Sequence, residues 1–146
     1  ETLGAFSVVG EKLSGYVTCI AAEDPQRVAE LIDLFEPYWE QNLGHNHLAK
    51  TALQAGLRDE AQRILERHID DDENIFSNEN TQILVELWHG AGRVDEAREL
   101  LSKSIKSIQG KISGIDEVDR VEYAEYVAEL RLSLKQNQEL YQRLFP

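Results

Sequence analysis

Methionine is absent from these 146 residues, cysteine occurs once, and no cluster of Lys and Arg stands anywhere along the chain. Each shortage excludes something. A single cysteine cannot close an intramolecular disulfide, so stability must come from a buried core, for which this length suffices. Cys19 lies in the apolar stretch Tyr16-Val17-Thr18-Cys19-Ile20-Ala21 and is expected to be buried as a small hydrophobe. The longest apolar stretches are broken by Gly, Glu and Lys, which excludes a transmembrane helix. No basic leader followed by an apolar segment opens the chain, so no signal peptide is visible. A chain that starts at Glu1 and has no Met reads as a fragment of a longer or processed protein. Its targeting segments would have gone with the remainder. The lone cysteine fits a reducing compartment, and the cytoplasm is the expected location.

Positive charge is the other shortage. With 27 acids against 15 bases, the formal charge is −12. Such a surface repels phosphate backbones and anionic membranes, so neither nucleic acid nor direct membrane insertion is expected. The apolar share of 42% and the charged share of 29% suit an elongated, thin-layered helical protein.

Chemistry-bearing motifs are also missing. There is no Gly-rich phosphate loop, nucleophile elbow, H-E-x-x-H or Cys/His pair, and the chain is read as non-enzymatic and cofactor-free. Asp70-Asp71-Asp72-Glu73-Asn74 has the first spacings of a calcium loop. Ile75 then stands where the sharp turn needs Gly, and Thr81 where the closing Glu belongs, so the run reads as a solvated acidic loop. His45 and His47 flank Asn46 without a third ligand, and helical metal pairs sit at i, i+4. No metal site is expected. His68 and His89 read as packing or groove residues, and Trp39 and Trp88 as core plugs between helices.

What the chain does contain is a repeat. Gly56-Leu57-Arg58-Asp59-Glu60-Ala61-Gln62-Arg63-Ile64-Leu65 returns as Gly92-Arg93-Val94-Asp95-Glu96-Ala97-Arg98-Glu99-Leu100-Leu101, an offset of 36 residues (92 less 56). Before Gly92, the residues Leu84, Leu87, Trp88 and Ala91 make one helical stripe; after it, Val94, Ala97, Leu101, Ile105 and Ile108 make another. Leu48, Ala49 and Ala52 precede Gly56; Leu57, Ala61, Ile64, Leu65, His68 and Ile69 follow it. Each Gly is expected to take the left-handed conformation that stops its first helix. Asp59-Glu60 and Asp95-Glu96 place negative charge in the first turn of each second helix. Ala61 and Ala97 are small where paired helices must approach.

The Gly-x-x-Asp-Glu-Ala turn with a helix on each side resembles the tetratricopeptide repeat (TPR), and less closely the pentatricopeptide repeat. Val85 and Trp88 match the small and aromatic first-helix places in one copy, Ala49 and Ala52 in the other. Ser104 matches the late small place of the second helix, where the other copy has His68; the closing Pro of that family is absent from both. The resemblance covers about residues 43–109. It implies an all-α fold of stacked antiparallel helix hairpins, a TPR-like α-solenoid of about seven or eight helices.

The flanks fit the same scheme. Asp24-Pro25 reads as an N-cap with Pro at the first helical position, followed by the stripe Val28, Leu31, Ile32, Phe35, Tyr38 and Trp39. Pro37 should end or kink that helix. Upstream, Phe6, Val9, Leu13, Tyr16, Val17 and Ile20 keep helical spacing, while Gly4, Gly10 and Gly15 leave a β-hairpin across Val8–Ile20 open as the competing reading. Gly110 to Gly114 reads as a loop, with Asp116 as the cap of a helical segment from about Glu117 to Phe145. In that segment Val121, Ala124 and Ala128 lie on one side, and Tyr123, Tyr126, Val127, Leu130 and Leu134 on another, so both sides are expected to be buried. It is either one long helix or two broken near Lys135–Asn137. One domain over residues 1–146 follows, with hairpins at about 2–40, 43–70, 78–109 and 116–145.

Function follows from the resemblance. It implies a protein-interaction scaffold, in which Glu79, Gln82, Glu86 and His89 on one first helix face a groove. Asn46, Lys50 and Gln54 are their counterparts on the preceding first helix. With one Lys among several acids, the groove suits basic or neutral segments of a partner protein. A homodimer through an exposed end of the array is a further expected association. The alternatives are a helical accessory segment of a larger enzyme or transporter, and a pentatricopeptide-like RNA-binding array, which the acidity disfavours.

Overall fold

The computed structural model describes residues 19–20, 23–39, 45–69, 78–116 and 119–146. All regular structure among them is helical: α1 (Pro25–Trp39), α2 (His45–Gln54), α3 (Arg58–His68), α4 (Asn78–Gly90), α5 (Val94–Ser113), the short α6 (Asp119–Glu122) and α7 (Ala124–Leu144). The all-α class is therefore established. None of these helices is long and apolar enough to cross a membrane. The chain forms two compact units, Glu1–Phe76 and Ser77–Pro146. The segment Asp70–Asn74, the side chains of His45, Asn46, His47, His68 and Trp39, and the stretch Val8–Thr18 lie outside what is described.

In the first unit, α1 starts as its sequence dictates. The Asp24 carboxylate accepts from the backbone N–H of Arg27 at 3.0 Å, satisfying one orphan donor ahead of Pro25. Pro37 sits in the last turn, and the helix ends at Trp39. Val28 and Ile32 bury the inner face of α1, which packs on α2, and α2 folds back on α3. Arg63 of α3 reaches Asp33 of α1 at 3.2 Å on the surface, a contact of little energetic weight. Cys19 is exposed rather than buried. The half-buried neighbour Ile20 ends that turn, its carbonyl accepting from Glu23 and Asp24, and Cys19 falls on the outer side.

The two repeat turns have the same construction. Gly56 and Gly92 take φ of 75° and 83°. In the first, Leu57 N–H donates to Ala52 and Gly56 N–H to Leu53; in the second, Arg93 N–H donates to Trp88 and Gly92 N–H to His89. This is the Schellman pair of bonds, and only a residue free to adopt positive φ closes it without strain. Burial repeats with it. Ala49 and Val85, Ala52 and Trp88, Ala61 and Ala97, and Leu65 and Leu101 are buried pairs at the same offset of 36. The Ala residues leave no accessible surface, as close helix approach requires.

In the second unit, α4 and α5 form the hairpin, and α7 lies against both. α5 runs through Gly110 to Ser113, so the expected loop begins only at Gly114, whose N–H closes the helix on the Gly110 carbonyl. The following helical segment breaks at Tyr123 and then runs unbroken through Lys135–Asn137. Only one of its sides is buried. Val127, Asn137 and Leu140 face inward, whereas Val121 is 83% exposed and Ala124 and Ala128 are also exposed. Tyr123 and Tyr126, placed on the inner side by spacing, are about half exposed. They precede the stretch of α7 that α4 lies beside.

Candidate functional site

The polar stripe of α4 faces α7. Asn78 and Gln82 meet Asn137, Glu86 meets Arg143, and the His89 ring meets Phe145 edge-on at 5.6 Å between centroids. Residue numbers rise together on the two helices, so α4 and α7 run parallel, with the antiparallel α5 completing the three-helix unit.

Asn137 anchors this arrangement. Its side chain is fully buried, yet Nδ2 donates to Asn78 Oδ1 at 2.7 Å and to Ser104 Oγ at 3.1 Å. Its Oδ1 accepts from Gln82 Nε2 at 2.9 Å. Two helices, α4 and α5, thus supply partners for one amide on a third. At the far end, Phe145 is held by His89 of α4, by the Arg98 guanidinium of α5 at 5.3 Å, and by Tyr141 at 5.2 Å. Arg93, just past the Gly92 turn, lies over the Trp88 ring at 4.5 Å and forks onto both oxygens of Glu96 at 2.6 and 2.7 Å. That guanidinium holds the Glu96 carboxyl below its ordinary range, chiefly through the hydrogen bond, which outweighs an opposing cost of desolvation, with its charge a lesser aid.

Alongside the Asn137 anchor, α4 and α7 leave an open cleft of about 560 Å³. Glu79, Gln82, Ile83 and Glu86 line one wall; Gln136, Glu139, Leu140 and Arg143 line the other. Its size is that of a site for a small ligand or a few residues of a chain. Three of the four α4 residues expected to face a groove therefore share one cleft. His89 is not among its lining residues and serves as a rest for Phe145. Lys50 is half-buried and Gln54 exposed on α2, in the other unit. The opposing wall was missed from sequence. One signal was available: Asn137 interrupts the stripe Leu130, Leu134, Leu144, and a polar residue in a core stripe needs partners from another helix.

Among the described residues no group of three or more His, Cys, Asp or Glu is arranged to hold a metal ion. Comparison with family models, with curated proteins and with solved structures gives no match to this chain.

Proposed function

We propose that this protein is a non-catalytic scaffold of TPR-like helix hairpins that binds a segment of a partner protein beside α4. The cleft between α4 and α7 carries the reading. It opens to solvent, it is walled by two parallel helices, and Ile83 and Leu140 stand among the polar residues of those walls. A site of this make suits a short peptide segment, whose apolar side chain can be buried while its backbone and polar groups meet amides and carboxylates.

The test must spare the side chains that hold the fold. Gln82 bonds Asn137 and Glu86 pairs with Arg143, so replacing either disturbs the packing of α7 as well as the cleft. Gln136 and Glu139 are exposed on the α7 wall, and Glu139 meets Lys135 only at 3.8 Å between largely exposed side chains. The double variant Gln136→Lys, Glu139→Lys is expected to retain its helical circular dichroism and lose partner capture in a pull-down. Undiminished capture by a folded double variant would remove the groove assignment.

A further inference from the structure

We infer that the occupant of the α4–α7 cleft is a basic segment, one with an Arg or Lys beside an apolar side chain. This rests on the scaffold reading above and specifies its partner. The cleft already seats one guanidinium: Arg143 reaches across from α7 and pairs with Glu86 of α4. Of the residues that line the cleft, Glu79, Glu86 and Glu139 are acidic and Arg143 is basic. Lys135 approaches Glu139 only at 3.8 Å with both side chains largely exposed, a pair that an incoming cation can replace. Ile83 and Leu140 lie between the carboxylates and give an apolar neighbour of the cation somewhere to go. The surrounding charge acts the same way, since a chain of net charge −12 steers basic segments in and acidic ones away.

The test uses a short fluorescent peptide of Arg, Leu and Ser, with counterparts carrying Glu or Gln at the Arg places. A photo-reactive phenylalanine analogue at position 136 reports whether a bound peptide lies in the cleft. The Arg peptide is expected to bind and to cross-link from position 136. Its affinity should fall about tenfold in the folded double variant Glu79→Gln, Glu139→Gln, the sum of two exposed ion pairs, and should fall further with added salt. If the Glu or Gln counterparts cross-link from position 136 as readily as the Arg peptide, the basic occupant is overturned and the groove stands. Binding of the Arg peptide without cross-linking from position 136, or no binding by any peptide, overturns both.

Discussion

Gln82 and Asn137, 55 residues apart, are joined by a 2.9 Å hydrogen bond that ties the first half of α4 to the middle of α7. The buried Asn137 amide has two N–H donors and one carbonyl oxygen, and all three functions are engaged. A slip of α7 by one residue rotates that position by about 100° and breaks every one of these bonds. Apolar contacts alone would tolerate such a slip better, because Leu side chains can repack. The amide therefore fixes register, and with it which residues of α7 face the cleft.

Asn137→Ala is expected to cost about 2–3 kcal/mol, since three hydrogen bonds of roughly 1 kcal/mol each are lost and their partners are left behind. Asn137→Leu should recover little, because Asn78, Ser104 and Gln82 still lack the amide. Urea unfolding measures both. A loss below about 1 kcal/mol for Asn137→Ala would show that the amide does not hold the unit together.

The two repeat turns yield a matched pair of predictions. An added Cβ at Gly56 or Gly92 would have no neighbour within 4 Å, so the cost of Ala comes from positive φ alone. Gly56→Ala and Gly92→Ala are each expected to destabilise by about 1–2 kcal/mol, with Asn milder at both places. Equilibrium unfolding of the two variants and their Asn counterparts checks this. A neutral Ala at either site contradicts the left-handed turn there.

These turns were legible in the sequence because their causes are local. A Gly that must reverse the helix, an Ala where helices touch and acids in a first turn each act within a few residues. Burial at Ala49 and Val85, or Leu65 and Leu101, then follows from helical period. The cleft was only half legible. Periodicity marked Glu79, Gln82 and Glu86 as a polar face, but Arg143 meets Glu86 across 57 residues of chain, and no local pattern encodes that meeting. The outer side of the last helical segment, α6 and the start of α7, misled for the same reason. Val121, Ala124 and Ala128 keep core spacing, and spacing cannot say whether another helix arrives to cover them.

The Arg93–Glu96 fork makes acid behaviour specific. A carboxyl whose folded pKa is depressed adds stability that is present above its unfolded pKa and is lost as pH falls through the folded value. Titration followed by side-chain carboxyl NMR should show Glu96 protonating below ordinary glutamates, and Arg93→Gln should return it towards the usual range. An unchanged Glu96 titration in that variant would mean that Arg93 does not hold the carboxylate in solution.

The two faces of α7 can be told apart by one pair of substitutions. Leu132 is 57% exposed and Leu140 only 6% exposed, although both are leucines on one helix two turns apart. Truncating a buried Leu forfeits its transfer energy and leaves a cavity, so Leu140→Ala is expected to cost about 2–4 kcal/mol. At Leu132 most of the side chain is already in water and no cavity forms, so Leu132→Ala should cost under about 1 kcal/mol. Urea unfolding followed by circular dichroism separates the two. Similar losses at both positions would mean that the outer face of α7 is covered in solution, and the absence of any loss at Leu140 would mean that α7 is not docked on α4 and α5.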